Sequence, residues 1–217
     1  YVLGQEDYGF QAKLVNGYLG AYEYRGQINI QASSGYTDIY DLQDKRFASG
    51  DPGSISSYML PYLLISNTTG MTPTEFFSEV YFTGSQSQVV RDVYSGTTDC
   101  GATYEDARAA VVGEYPDVYD IVEVLSYTEY IPNTPWVFRM GLNPADVQKL
   151  TDGIIAVAGT PDGEKALTAI FGSIWSGVDD IQDSDYDDVR DLVKTFDFQL
   201  SNCYDMYLPL LIHKNGD

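Results

Sequence analysis

Three serine hydroxyls follow a tight turn just before an apolar stretch of the chain. Residues 51–57 read DPGSISS, and residues 58–64 read YMLPYLL. If a helix begins here, its first backbone N–H groups have no internal partner and lie at the positive end of the helix dipole. Neutral serine donors at such a point suit a tetrahedral oxyanion such as phosphate or a phosphonate. The alternative is ordinary N-capping, for which Ser and Asp are favoured residues.

The charge of the chain limits the classes of partner. Its 217 residues include 32 acidic and 12 basic residues, which gives a formal net charge of −20. Nucleic acid binding needs clustered Lys and Arg, so the composition excludes that class and disfavours an anionic membrane surface. Because the acidic surface repels anions at long range, an anion site in this chain must act through short N–H and O–H contacts.

Strand and helix patterns alternate along the chain. Residues 27–31 alternate polar and apolar side chains, which is typical of a half-buried strand. A helix is predicted from about residue 56 to Gly70, and Pro144 and Pro161 stand at the first positions of two later helices. Further strands are expected at 46–48, 80–82, 99–102, 121–126 and 136–140, and further helices at 74–77, 87–94, 104–111 and 184–196. This order predicts an α/β fold with sites at the carboxyl ends of strands.

Covalent and metal chemistry are not expected. Cys100 and Cys203 are too few for a disulfide framework, and with His213 they show no metal-site spacing. Since His213 is the only histidine and no G-x-S-x-G elbow occurs, Ser54 is not predicted to be a hydrolase nucleophile. We predict neither enzymatic activity nor a bound metal or cofactor. An enzyme that uses Asp106, Asp99 and the hydroxyls on a phosphorylated substrate is the weakest alternative.

Three blocks of sequence occur in the order found in one known family. The first block has DL at 41–42, KRFA at 45–48, GDP at 50–52, SIS at 54–56 and LP at 60–61. The second block has GSQ at 84–86 with Phe77, Val80, Phe82, Val89, Val93, Gly96 and Asp99. The third block has GATYEDAR at 101–108, IP at 131–132, Arg139, SDY at 184–186 and VR at 189–190. Together they resemble the substrate-binding proteins of phosphate, phosphite and phosphonate ABC importers. The resemblance implies a type II periplasmic-binding-protein fold, in which two α/β lobes close over a ligand in the cleft between them.

The resemblance also assigns ligand contacts. Ser54, Ile55 and Ser56 fall on the Ser-Thr-Ser cradle of the family, where Ile55 retains only its backbone N–H as a donor. Gln86 stands where many members carry a histidine that binds the phosphonate oxygens, so it supplies an amide donor without charge. Tyr24 matches a family tyrosine that faces the ligand across the cleft.

Two further positions bear on which ligand is bound. Asp106 falls where a carboxylate reads the ammonium of an aminoalkylphosphonate, and Thr134 falls where such members place a second Asp. A buried cation needs paired acceptors, so a site with a single acid favours phosphate, phosphite or a small alkylphosphonate over 2-aminoethylphosphonate. The alternative role for Asp106 is to cap the helix predicted from Tyr104.

The lobes implied by the resemblance divide the chain unevenly. We expect residues 25–134 to form the lobe that carries the anion cradle, and residues 1–24 and 135–217 to form part of the other lobe. Family members usually begin with a further strand-helix stretch, so the N-terminal part of that first lobe is expected to be missing here. Asp44 stands where the family often has Gly, and a positive φ is expected there.

The expected function is capture without chemistry. The resemblance implies an extracytoplasmic solute-binding protein that takes up a small phosphorus oxyanion and delivers it to an ABC permease in the membrane. We expect a monomer in the periplasm or outside the cell, with tethering to the membrane through a segment outside this chain as a further option. The alternative is a secreted or surface protein that reuses the fold for another ligand or partner.

Overall fold

Two compact units make up the described chain. The computed structural model describes residues 1–196, so Cys203 and His213 lie outside the described residues. Among the described residues, unit 1 comprises residues 1–24 and 131–196, and unit 2 comprises residues 25–130. Among the helices of residues 1–196, none is both long and apolar enough to cross a membrane.

Strands and helices alternate as the sequence predicts. The strands are β1 (Gln11–Tyr18), β2 (Glu23–Gln31), β3 (Arg46–Ser49), β4 (Glu79–Phe82), β5 (Cys100–Tyr104), β6 (Val122–Pro132), β7 (Pro135–Phe138) and β8 (Trp175–Asp180). The α-helices are α1 (Val2–Tyr8), α2 (Leu60–Thr69), α3 (Pro73–Phe76), α4 (Gln86–Ser95), α5 (Val118–Ile121), α6 (Pro144–Ala158), α7 (Pro161–Phe171) and α8 (Asp187–Thr195). Four elements, α1, β1, α5 and β8, were not predicted from the sequence.

A five-stranded sheet in the order β4-β3-β5-β2-β6 organises unit 2. β3 pairs in parallel with both β4 and β5, whereas β2 runs antiparallel to β5. The carboxyl ends of β3, β4 and β5 therefore meet at one edge of the sheet, which we call the carboxyl edge. Gly26 lies at the same edge because it pairs with Tyr104 at the end of β5.

Helices pack on this sheet through fully buried apolar side chains. One cluster joins Ile28 and Phe47 of the sheet to Ile65 of α2, and another joins Val90 and Val93 of α4 to the following segments. The predicted stop of α2 is confirmed, because Gly70 adopts a left-handed φ of 75° that favours glycine. The positive φ expected at Asp44 is also confirmed, at 59°.

The prediction that residues 27–31 form a half-buried strand is wrong about burial. The strand exists, but Gln27 and Asn29 are as fully buried as the isoleucines between and after them. The alternation failed as a signal because β2 lies between β5 and β6 and is covered on both faces. Its amide side chains consequently need hydrogen-bond partners inside the protein.

Unit 1 has a smaller, antiparallel sheet in the order β7-β1-β8. At its centre Asn16 of β1 is buried, and its Oδ1 accepts hydrogen bonds from the indole N–H of Trp136 at 2.9 Å and of Trp175 at 3.0 Å. The predicted starts of α6 and α7 at Pro144 and Pro161 are confirmed.

The last predicted helix of unit 1 is confirmed with a different first turn. A 3₁₀ turn over Asp183–Tyr186 precedes α8, where a single helix from residue 184 was expected. The apolar face predicted for this helix is buried, as the side chains of Tyr186, Val189, Leu192 and Val193 show.

Candidate functional site

Three loops leave the carboxyl edge of the unit 2 sheet, and they carry five of the seven predicted site residues. The loop after β3 carries Ser54, Ile55 and Ser56, the loop after β4 leads to Gln86, and the loop after β5 carries Asp106. Carboxyl ends of parallel strands are where α/β sheets present ligand sites, because the following loops and helix starts gather there. The topology thus brings these five residues to one edge.

The loop after β3 is held by its own turn. The Ser54 N–H donates to the Asp51 carbonyl at 3.0 Å, and the Gly53 N–H donates to the Asp51 carboxylate at 2.7 Å. Ser54 then caps the helical segment, because its Oγ accepts the Ser57 N–H at 3.2 Å. The capping role raised by the sequence is therefore real, and it leaves the Ser54 hydroxyl hydrogen available to donate.

The first turn after Ser54 is wider than an α-helical turn. Residues Ile55–Met59 form a π-helical turn, in which the N–H groups of Tyr58 and Met59 both donate to the Ser54 carbonyl at 3.1 Å. Short π turns often occur at functional sites. The helix expected from about residue 56 thus begins at Ile55 with this turn and becomes α-helical at Leu60.

Pro61 explains one contact of the wide turn. A proline has no N–H, so the Ser57 carbonyl four residues earlier loses its usual helical donor. The Ser49 hydroxyl, at the end of β3, donates to that carbonyl instead at 2.7 Å. This contact ties the π turn to the buried strand that precedes it.

The wide turn leaves a group of donors without partners inside the chain. Among the described residues, the Ile55 N–H, the Ser56 N–H and the Ser56 hydroxyl make no hydrogen bond. Ser56 is 3 % exposed, and Ser54 and Ile55 are half-buried. Two amides and up to two hydroxyls at a helix start match what a tetrahedral oxyanion requires.

A glycine in the neighbouring strand lets the turn approach the sheet. A Cβ built on Gly26 would lie 2.2 Å from the Ser56 carbonyl oxygen and 3.1 Å from the Thr128 methyl group. The Gly26 N–H itself donates to Thr128 Oγ1 at 2.8 Å. Any side chain at position 26 would therefore displace the backbone of Ser56.

The loop after β4 places Gln86 against the first loop. Gln86 is the first residue of α4, and its Oε1 accepts the Tyr104 N–H at 2.5 Å. A Cβ on Gly50 would lie 2.7 Å from Gln86 Cγ, so the two loops are in close contact. With its oxygen engaged, the Gln86 side chain has only its Nε2 donor to offer a ligand.

The loop after β5 gives Asp106 an unexpected partner. Asp106 adopts a left-handed φ of 59°, and its N–H donates to Gln27 Oε1 at 3.2 Å. Its side chain makes no capping hydrogen bond, so the capping alternative is wrong. The carboxylate instead accepts from Arg108 Nη2 at 2.9 Å, and the predicted helix over 104–111 is only a 3₁₀ turn over Ala107–Ala110.

Buried amides that the sequence analysis missed support this loop. Gln27 Nε2 donates to Asn29 Oδ1 at 2.8 Å, and Asn29 Nδ2 donates to Thr103 Oγ1 at 3.0 Å. Gln27 therefore positions the Asp106 backbone through a chain of buried hydrogen bonds. The signal in the sequence was the pair of amide side chains, Gln27 and Asn29, within the predicted strand. Buried polar side chains are nearly always hydrogen-bonded, so two amides in a strand flanked by other strands indicate internal partners.

The two remaining predicted residues belong to unit 1. Thr134 lies between β6 and β7, its carbonyl accepts the Asn16 N–H at 3.1 Å, and it lines a groove of about 450 Å³ with Tyr1, Tyr8 and Phe10. Tyr24 is half-buried near the start of β2 and lies close enough to Tyr186 to contribute to the raised pKa of that phenol. Their roles in binding remain predictions.

A known family matches most of the chain. The sequence profile of the periplasmic substrate-binding proteins of phosphonate ABC transporters matches residues 1–186. The chain belongs to this family. The family comprises substrate-binding proteins of transporters, not enzymes, and its members are extracytoplasmic.

Solved structures agree on the fold. The chain is similar to a binding protein component of an ABC phosphonate transporter from Pseudomonas aeruginosa, with 19 % identity and a TM-score of 0.68 over 84 % of this chain and 61 % of that one. It is also similar to a Xanthomonas citri protein solved with ATP, with 19 % identity and a TM-score of 0.69 over 84 % of this chain and 69 % of that one. For PhnD1 of Prochlorococcus marinus, solved with methylphosphonate, the identity is 15 % and the TM-score is 0.65 over 86 % of this chain and 72 % of that one. The fold is the type II periplasmic-binding-protein fold, and the chain spans 61 % to 72 % of the length of these relatives.

Proposed function

We propose that this protein binds a small tetrahedral phosphorus oxyanion, either phosphate, phosphite or a small alkylphosphonate, and delivers it to an ABC permease. Membership of the phosphonate-binding family supports the class of solute. The observation that carries the proposal is the group of donors in the π turn. The amides of Ile55 and Ser56 and the hydroxyl of Ser56 lack acceptors among the described residues, and the Ser54 hydroxyl is free to donate.

Short neutral donors suit this chain because its overall charge opposes an anion. With a net charge of −20, the long-range field repels a phosphorus oxyanion, whereas N–H and O–H contacts below about 3 Å are little affected by salt or distant charge. Gln86 Nε2, Tyr24 and Thr134 are proposed as further contacts. The protein is proposed to act as a monomer in the periplasm or outside the cell, with or without a membrane tether.

Replacement of the serines tests the donors directly. We expect Ser54→Ala and Ser56→Ala each to weaken oxyanion binding by about 1–3 kcal/mol, because each removes a hydrogen bond to a charged group. Isothermal titration calorimetry with methylphosphonate, phosphite and phosphate measures this loss. Ser95→Ala, at the far end of α4, is the matched control and should bind as the wild type does.

The outcomes of this experiment are clear-cut. Unchanged affinity in both serine variants would remove the π turn from the proposed site. A thermal-shift panel of the same anions tests the function as a whole, since a ligand above its dissociation constant must raise the melting temperature. No shift with any of the three anions would instead support a fold reused for another ligand.

A further inference from the structure

An arginine neutralises the acid that would read a cationic ligand. Arg108 Nη2 donates to the Asp106 carboxylate at 2.9 Å, and the Arg108 side chain is 12 % exposed while that of Asp106 is 55 % exposed. The family resemblance implies that Asp106 reads an ammonium group. In the structure its charge is already paired by the chain itself.

The guanidinium is held independently of Asp106. Its Nη1 donates to the Val122 carbonyl at 3.0 Å, and its Cζ lies 4.7 Å from the centre of the Tyr119 ring. An exposed ion pair is usually weak because two long side chains must be ordered to form it. Here the longer side chain is already ordered by its contacts with Val122 and Tyr119, so less ordering is needed to form the pair.

The other acids of the three loops are engaged as well. Glu105 accepts from Arg25 at 2.9 Å, and Arg25 also lies over the Tyr127 ring at 3.6 Å. Asp51 accepts the Gly53 N–H that shapes the first loop. A ligand ammonium at the carboxyl edge would therefore have to displace an arginine from Asp106 or Glu105, or share the Asp51 carboxylate with the Gly53 N–H, and displacing an arginine is costly.

We infer that Arg108 determines specificity by selecting phosphorus oxyanions that carry no ammonium group over aminoalkylphosphonates. Paired with Arg108, Asp106 neither repels the anion nor attracts a cation. Without Arg108, the negative charge of the carboxylate is no longer balanced, which disfavours a simple anion and offers an acceptor to an ammonium. This inference rests on the proposed function and identifies the ligand class of the same site.

The test compares two ligands in the full chain. Calorimetric titration of the wild type should give a dissociation constant for methylphosphonate at least about 10-fold lower than for 2-aminoethylphosphonate, the range set by one charged hydrogen bond. Arg108→Gln should shift the ratio of the two constants by about 10-fold or more towards 2-aminoethylphosphonate. A merely structural role would weaken both ligands alike and leave the ratio unchanged.

Arg46→Gln is the matched control. Arg46 also pairs with a carboxylate, Glu79 at 2.7 Å, and lies over an aromatic ring, Tyr81 at 5.6 Å, but it is at the start of β3. Its loss changes the net charge by the same amount at the opposite edge of the sheet. The ratio of the two dissociation constants should stay at the wild-type value.

Each outcome decides something. If the wild type binds 2-aminoethylphosphonate as tightly as methylphosphonate or more tightly, the inference is wrong but the proposed function stands. The same holds if Arg108→Gln leaves the ratio of the two dissociation constants unchanged. Failure of the wild type to bind either ligand would overturn the proposed function and the inference with it. If Arg108→Gln does not fold, the inference is tested by the ratio of the two dissociation constants in the wild type and by the variant Asp106→Asn. That variant should bind methylphosphonate at least as tightly as the wild type, and a 10-fold weakening would contradict the inference.

Discussion

The two units of this protein bury their apolar residues to different extents. In unit 2, Ile28 and Phe47 are at most 1 % exposed, and helices cover the sheet. In unit 1, Ile155 of α6 and Ile170 of α7 are 42 % and 71 % exposed. Since burial stabilises in proportion to the apolar area removed from water, unit 2 draws more stability from its own core. The candidate donors of the π turn are thus fixed by the better-packed unit.

Truncation of one isoleucine in each unit gives the largest contrast. Ile28→Ala should lower the free energy of unfolding of unit 2 by about 2–5 kcal/mol, whereas Ile170→Ala should change stability by about 0.5 kcal/mol or less. Urea unfolding measures both. Equal losses in the two variants would show that the exposed isoleucine is covered in solution and would end the contrast.

Alkylation of Cys100 reports the urea unfolding of unit 2 specifically. Burial raises the pKa of the Cys100 thiol well above its ordinary value, so it should resist alkylation until unit 2 opens. In a Cys203→Ser background, the urea concentration at which Cys100 is alkylated should fall in Ile28→Ala and stay constant in Ile170→Ala. Alkylation of Cys100 in the native wild type would contradict its burial.

Two glycine-to-alanine substitutions, one in each unit, should change the stability of the protein in opposite directions. Gly26→Ala forces a methyl group towards the Ser56 carbonyl, which lies 2.2 Å from the Cβ position, and should cost about 1–3 kcal/mol in stability with weakened oxyanion binding. Gly153, inside α6 of unit 1, has open space around its Cβ position, so Gly153→Ala should stabilise by about 1 kcal/mol. Thermal unfolding and calorimetry measure both. Full oxyanion affinity in Gly26→Ala would separate the π turn from binding.

The smallest expected effect concerns pH. Burial and a hydrogen bond donated to Asp92 at 2.9 Å raise the pKa of Tyr81 to about 12. The unfolded chain ionises this phenol near pH 10, so its contribution to stability is full below about pH 10 and is lost as pH rises towards 12. Tyr81→Phe should flatten the decline in the free energy of unfolding over this window. An unchanged slope would exclude Tyr81 as a cause of alkaline unfolding.

Tyr186 allows the same measurement in unit 1. Its hydroxyl donates to the Asn133 carbonyl at 2.9 Å, and burial is the main cause that raises its pKa. Part of the alkaline decline should therefore persist in Tyr81→Phe and be removed in the double variant with Tyr186→Phe. Comparison of the two single variants shows which unit opens first as the pH rises.

Elements with local signals were predictable from the sequence. The stop of α2 at Gly70 and the starts of α6 at Pro144 and α7 at Pro161 follow from backbone preferences of single residues. Burial of Gln27 and Asn29 was not predictable from their alternation, because it depends on strands that are distant in sequence.

The candidate site was predictable only in part. The turn before Ser54 gave an anion site as one option, and the family resemblance supplied the other residues. The π turn is tied to β3 by the hydrogen bond from the Ser49 hydroxyl to the Ser57 carbonyl, and Arg108, the partner of Asp106, is held by the Val122 carbonyl and the Tyr119 ring. Both are tertiary features for which residue spacing gives no rule.

The contact between Ser49 and Ser57 has a consequence for the speed of binding. Because the Ser49 hydroxyl of β3 donates to the Ser57 carbonyl, the wide turn that carries the amides after Ser54 is restrained before any anion arrives. An arriving anion then meets a rigid receptor and loses little affinity to the ordering of loops. Under the proposed function, a restrained turn favours fast association, since little rearrangement has to precede binding.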